Sequence, residues 1–394
     1  MKTNNRLYHL CLWICLLCLT ACQQETSSNG PQTDSAESTS VMESPQSDYP
    51  STDGKWGFVN KGGRVVVKPT FDDARNFSEG MAVVRKGDKW GYIDKKGKIS
   101  IACQFKAAWS FAEKLARVQT FDDKMGFIDQ QGQWVVPAEY EDLQDFAEGL
   151  ARFQKEGTYG YLDAKGNIAI PSSFQGASDF VNGKAVVKVK SGYGLINSKG
   201  QFQLDPSYDK IGQFANGLAK VRKGDLFGYI DLEGKLAIPL AFDAAKDFQG
   251  NSSSVKVKEK YGLIDGRGRY IIEPKYDQLW AAGNDRWAAK LFNKYGLIDG
   301  EGKSVTPIKF DQLYRFSEGL AGYKIGNLWG YLNVAGKEIT PPQYGLVWDF
   351  KEGFARVAFY EGIGFIDKSG ELALSPQFID VRDFSEGLAR VLVR

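Results

Sequence analysis

The sequence predicts an all-β protein assembled from ten tandem copies of one short unit. Three observations carry this. A glycine, usually preceded by an aromatic residue, returns at Gly57, Gly91, Gly126, Gly160, Gly194, Gly228, Gly262, Gly296, Gly330 and Gly364, with one spacing of 35 residues and the rest of 34. The runs around it are rich in β-branched and aromatic side chains and follow a period of two, which suits strands and not helices. Gly, Pro, Asp and Asn fall between these runs at fixed offsets, as turns require. A chain of 394 residues would by length alone suggest several domains. A fixed period instead makes one continuous body, here residues 55–394.

The chain opens outside this pattern. Lys2 and Arg6 precede an apolar run, Leu7 to Leu19, broken only by His9. Residues 1–21 read as a signal peptide, because the run is short for a membrane span. Leu19-Thr20-Ala21-Cys22 resembles the lipobox of bacterial lipoproteins. The resemblance implies acylation of Cys22, which would become the first mature residue and hold the protein to a membrane. The alternative is an ordinary signal peptide cut after Ala21. By analogy with enteric lipoproteins, Gln23 at the next position implies the outer membrane. Residues 22–54 then form the lipid-anchored Cys and a tether rich in Ser, Thr, Pro and acids, with too little apolar surface to offset its ordering entropy. Its reach as a flexible chain is roughly 30 Å.

Each unit reads in the same order. A glycine strand, such as Trp90-Gly91-Tyr92-Ile93, ends at Asp94, and Gly97 follows three residues later. Asp first and Gly fourth is a type I turn with a left-handed Gly, so a hairpin follows. A proline strand comes next (Val65-Val66-Val67, Trp134-Val135-Val136), stopped by Pro69, Pro137, Pro171 and their equivalents. A Phe or Tyr and a polar link lead to Phe77-Ser78-Glu79-Gly80 or its relatives. An alanine strand closes the unit, as in Leu150-Ala151-Arg152-Phe153. Short loops join the alanine strand to the next glycine strand, which gives a three-stranded antiparallel meander. The array opens on a glycine strand and ends on an alanine strand. Two architectures follow: a curved, solenoid-like open array, slightly favoured because ten units exceed the usual propeller range, and a propeller-like ring closed by exchange of the terminal strands.

These motifs together resemble the bacterial WG repeat family over residues 55–394, with Trp56, Trp90 and Trp329 as full Trp-Gly copies. The family implies an all-β scaffold in secreted or envelope proteins and no shared reaction. Met125 and Ile363 replace the aromatic, Cys103 replaces the Pro, and Ala281 to Trp287 replaces the Phe-Ser-Glu-Gly run.

The inventory offers little for catalysis. His9 is the only histidine, so no Ser-His-Asp triad, Cys-His pair or histidine metal site can form in residues 55–394. Cys11, Cys15, Cys18 and Cys22 belong to the leader and anchor, leaving Cys103 at a structural Pro position. The turn Asp of each unit is explained by its turn and is too sparse for a calcium ladder. No cofactor or metal is expected. A spatial carboxylate pair, as in a glycosidase, stays as the enzymatic alternative. Of 50 Lys and Arg only two precede residue 55, against six of 48 Asp and Glu (Glu25, Asp34, Glu37, Glu43, Asp48, Asp53). The repeats therefore carry a small, spread positive excess, which argues against nucleic acid as partner.

One position varies while its neighbours repeat. Eighteen residues past the key Gly stand Arg75, Trp109, Gln144, Ser178, Gly212, Lys246, Trp280, Tyr314, Trp348 and Arg382. Repeat proteins carry ligand contacts at such positions. Trp109, Trp280, Tyr314 and Trp348, with Trp287 nearby, form a candidate face for a sugar or a protein partner. The competing reading places them in the layer between units. The function expected is a monomeric, lipid-anchored envelope scaffold that binds protein or glycan. An envelope hydrolase and a ligand-free architectural spacer are the alternatives.

Overall fold

The computed structural model describes residues 54–393. The leader, Cys22 and most of the tether lie outside the described residues. Every described element is a strand, bridge or turn, and the strands form ten small antiparallel sheets of three or four strands. The unit read from the sequence is present in its predicted order, with one addition. β3 (Asp73–Ser78), β4 (Met81–Lys86), β5 (Lys89–Asp94) and β6 (Ile99–Phe105) pair in sequence order. β4, β5 and β6 are the alanine, glycine and proline strands. β3 is a fourth strand formed from the link and the Phe-Ser-Glu-Gly run. In other sheets it is equally long or shorter, as in Asp142–Ala147 and Ala107–Ala108.

The ring is closed. β1 (Lys55–Asn60) pairs with β2 (Val65–Phe71) on one side and with the last strand, Leu388–Val393, on the other, in unbroken register from Lys55↔Val393 to Asn60↔Leu388. Asp380–Ser385 completes that sheet. The closed alternative therefore holds, and the open array does not. Terminal strand exchange leaves the first sheet no exposed inner edge, which an open array would have to protect. Neighbouring sheets approach most closely along the β3-type strands. These form the hub, and the proline strands form the rim.

The proline strand corrects the sequence reading. It runs through its Pro to the following aromatic, as in Val65–Phe71 with Pro69 inside. At the rim the missing N–H has no neighbour to leave unpaired. The register slips there, with Trp56 opposite Phe71 but Phe58 opposite Val67, so the outer strand bulges over the key Gly. A Cβ on Gly57 would lie 2.5 Å from the Val67 carbonyl oxygen and 2.7 Å from the Pro69 nitrogen. The Trp-Gly motif is thus a crossing point of two backbones.

The predicted hairpin turn is also present. The Gly97 N–H donates to the Asp94 carbonyl at 2.9 Å, and Asp94 Oδ1 accepts from the Lys96 and Lys98 amides, both at 2.9 Å. One unit departs from the pattern after Asp299. Thr306 Oγ1 accepts from the Leu297 N–H at 2.9 Å, as Thr340 Oγ1 does from the Tyr331 N–H in the next unit, and only the isolated bridges Ile298↔Ser304 and Tyr295↔Phe310 remain of its proline strand.

Candidate functional site

The ten variable positions lie in or just after the inner strands, so closure gathers them around the hub. Their side chains point between sheets. Trp280 is 7% exposed and packs with Tyr295 and Tyr323, while Tyr314 stacks on Trp329 with ring centroids 4.3 Å apart. Trp348 is 2% exposed, and Trp287 is buried against Leu279 and Ile298. Trp109 is half-buried between Arg75 and Arg117, whose guanidinium carbons sit 6.0 and 4.9 Å from its ring. The predicted aromatic row is therefore not a solvent-facing one. The variable side chain covers the key aromatic of its own sheet, and a large ring there fills the gap to the next sheet. The polar members Arg75, Gln144, Ser178 and Lys246 are half-buried on the other part of the hub. Asn76 Oδ1, next to Arg75, Ser254 Oγ, and Arg315 Nε, next to Tyr314, are buried without a hydrogen-bond partner among the described residues.

Two sets of polar side chains clamp sheet to sheet. The first starts from the third residue of the alanine strand. Arg356 is buried, with its Nε 2.5 Å from Asp383 and its Nη1 donating to the Val381 carbonyl at 3.1 Å. Its guanidinium lies 4.7 Å from the Trp348 ring. Arg117 repeats this with Asp145, the Leu143 carbonyl and Trp109. Arg390 reaches the Ala74 carbonyl across the closure.

The second set is the Phe-Ser-Glu-Gly run. Ser385 Oγ donates to the Phe77 carbonyl at 2.7 Å, and Ser317 Oγ to the Phe350 carbonyl at 2.7 Å. Glu386 accepts from the Gly80 N–H, Glu352 from the Gly387 N–H and Glu318 from the Gly353 N–H, at 3.0, 3.0 and 2.9 Å. Glu386 and Gly387 both adopt positive φ, at 51° and 82°. Glu is an uncommon residue for that conformation; the bond to the next sheet accounts for its recurrence. Burial pushes the Glu318 and Glu386 carboxyls up, but the N–H bonds and the ammonium groups of Lys368 and Lys95 outweigh it and hold both below the ordinary value. A carboxyl lowered in the folded state gives its stability above the unfolded pKa and loses it as pH falls through the folded one. Thermal midpoints followed by circular dichroism are therefore expected to hold steady down to about pH 5 and drop below about pH 4.3, less steeply in Glu318→Gln/Glu386→Gln.

Cys103 is half-buried, and burial pushes its thiol up, away from a nucleophile. Among the described residues no group of His, Cys, Asp and Glu is placed to hold a metal ion.

Sequence reasoning missed a different feature, on the face formed by the hairpins between alanine and glycine strands. In several units the Asp at the end of the proline strand caps this hairpin, as where the Gly87 and Gly224 amides donate to Asp72 and Asp209, both at 2.6 Å. Most tips are charged or small. Three carry an exposed aromatic, Phe292 at 90%, Tyr360 at 82% and Phe121 at 51% exposure. An aromatic at a turn position was the available signal.

Fold and site together define a closed, repeat-built β-propeller whose repeated motif residues bind sheet to sheet. Matches to a WG containing repeat fall on residues 56–90, 90–124, 125–159, 159–192, 193–227, 227–261, 261–289, 295–329, 329–359 and 363–394. The chain belongs to this family. No curated protein sequence matches it significantly. Among solved structures, a eukaryotic initiation factor is 14% identical and covers 87% of this chain and 98% of its own, with a TM-score of 0.44. BamB from Moraxella catarrhalis is 11% identical, covering 82% and 97%, with a TM-score of 0.33. At such scores neither defines the fold, which rests on the strand pairing.

Proposed function

We propose that the protein is a lipid-anchored component of the bacterial envelope whose ring serves as a non-catalytic scaffold. The observation that carries this is how the motif residues are used. The key Gly accommodates the bulged outer strand, the turn Asp its own turn, the Ser and Glu the next sheet, and the Arg the next inner strand, so the repeated residues are consumed by architecture. With no histidine after His9 and a half-buried thiol, no repeated group is left for chemistry.

Two forms of the scaffold differ in whether the hub holds a ligand. A binding scaffold for protein or glycan is supported by the half-buried Arg75, Gln144 and Ser178 and by the unpartnered Asn76 Oδ1 beside Arg75. A spacer is supported by the burial of Trp280, Trp287, Tyr314 and Trp348, and this second reading has the stronger footing. Retention of residues 54–394 on peptidoglycan fragments and cross-linking of the full chain in cells separate them, each compared with Arg75→Ala/Gln144→Ala. A partner or glycan lost in the variant supports binding. Unchanged or absent capture leaves the spacer. The anchor is tested by Cys22→Ser, which is expected to move the protein out of the membrane fraction.

A further inference from the structure

The two most exposed apolar tips fall in one sector, whereas Phe121 and Leu226 stand less exposed at tips elsewhere. Phe292 tips the hairpin of the sheet Gln278–Asp299, Ile325 and Leu328 flank the tip in the next sheet, and Tyr360 tips the one after. Leu346 and Ile379, both exposed, lie on links at the same end of the sheets. At these two link positions Gly345 and Ile379 replace the capping Asp, so the Tyr360 hairpin lacks the cap that Asp277 gives Phe292, through its N–H at 3.1 Å, and Asp311 gives Gly326, at 2.8 Å. The four sheets involved are consecutive, the last being the closing sheet.

This sector carries lysines and one exposed acid at a tip, Glu361 beside Tyr360. Asp277, Asp311 and Asp380 are held by Lys260, Lys294 and Arg382. Lys290 and Lys324 lie over the Tyr295 and Trp329 rings behind the tips, at 5.2 and 5.7 Å. Elsewhere on this face the tips read Lys86-Gly87-Asp88, Lys223-Gly224-Asp225 or Lys258-Glu259, and Phe121 stands beside Asp122 and Asp123.

The chain enters the ring on this same face. Glycine strands start at the hairpin end, and Lys55, the first residue of β1, pairs with Val393 in the closing sheet. The 53 residues that precede Gly54, with the apolar leader among them, are therefore attached in the sector that carries the tips.

We propose that this sector docks on the surface of a bilayer containing anionic lipid, with Phe292 and Tyr360 entering the headgroup boundary and the lysines facing the headgroups. Apolar side chains that project singly, with cations between them, suit a fluid interface, where aromatic rings settle. A protein partner would need a contiguous packed patch. The proposal deepens the scaffold reading and takes from it only the presence of a membrane; it sets which face of the ring looks toward that membrane.

The test separates docking from anchoring. Residues 54–394 contain every strand partner of the closing sheet and carry no leader. This ring is sedimented with vesicles of phosphatidylethanolamine and phosphatidylglycerol, and with vesicles of phosphatidylcholine alone. The expected result is binding to the anionic vesicles that falls roughly tenfold or more in Phe292→Ser/Tyr360→Ser and is unchanged in Phe121→Ser, with all three proteins giving the same circular dichroism spectrum. Absence of vesicle binding overturns the proposal, as does binding that the double variant retains. Self-association of the ring abolished by the double variant would instead make the sector an interface between copies, and also overturns it. Release of full-length Cys22→Ser from cell membranes reads the anchor alone.

Discussion

Removing residues 380–394 is expected to abolish the cooperative unfolding transition that residues 54–394 show. The deletion takes two of the four strands from the closing sheet and leaves β1 paired only with β2. It removes the buried side chains of Val381, Phe384, Leu388, Val391 and Leu392 and uncovers Trp56 and Phe58. It also breaks the Ser385 and Arg390 bonds to the next sheet. At about 1.5–3 kcal/mol for each large apolar side chain, the loss is on the order of 10 kcal/mol, comparable to the whole stability of a typical domain. An open array would respond differently, losing one terminal unit and keeping the rest, because its units contact only their neighbours. Thermal unfolding followed by circular dichroism separates the two responses.

The second large effect is expected at a key glycine. Gly160→Ala would place a Cβ 2.6 Å from the Ile170 carbonyl oxygen and 2.7 Å from the Ser172 nitrogen. Both are backbone atoms of the bulged outer strand, so no side chain can turn aside. Overpacking of this kind costs roughly 1–3 kcal/mol, or more where the backbone itself must move. The comparison is Gly149→Ala in the same sheet. Gly149 has φ of 79° and open space around it, so its cost is only the left-handed conformation, about 1–2 kcal/mol. Denaturant midpoints should rank wild type above Gly149→Ala and Gly149→Ala above Gly160→Ala. The reverse order would mean that the glycine is kept for its turn conformers and not for the crossing.

Local structure was legible in the sequence where each residue type has a local reason to be there. Asp94 and Gly97 specify a turn that closes on itself, and the alternation around Gly91 specifies a strand. The inner strand was hidden because the side chains of Ser78 and Glu79 bond to the neighbouring sheet, at Phe111 and Lys114, more than thirty residues away, leaving no local pattern. The Pro was misread for a related reason. Its effect on a strand depends on whether a neighbour lies beyond, and only the closed ring places Pro69 at an outer edge. Closure itself was legible as an incomplete sheet at each end, yet the choice between ring and open array depends on the turn angle per unit. No single residue encodes that angle; it arises from the summed volumes of side chains such as Tyr92, Phe111, Trp280 and Tyr314 between sheets. The variable position was found as a place, and of its two readings the burial of Trp280, Tyr314 and Trp348 matches the layer between units. The hairpin tips Phe292 and Tyr360 were readable as aromatics in turns two repeats apart, but only the closed ring brings the chain's entry at Lys55 into the same sector.

The central claim is that the first and last strands share a sheet. In residues 54–394 with Cys103→Ser, cysteines introduced as Lys55→Cys/Val393→Cys test it directly. These residues are register partners, and Cα atoms facing one another across antiparallel strands lie about 4.5–5.5 Å apart, within disulfide range. Mild oxidation is expected to give an intramolecular bridge, seen as a faster monomer band on a non-reducing gel, at protein concentrations low enough to suppress dimers. A chain that keeps both thiols free, or bridges only between molecules, would contradict the closed ring.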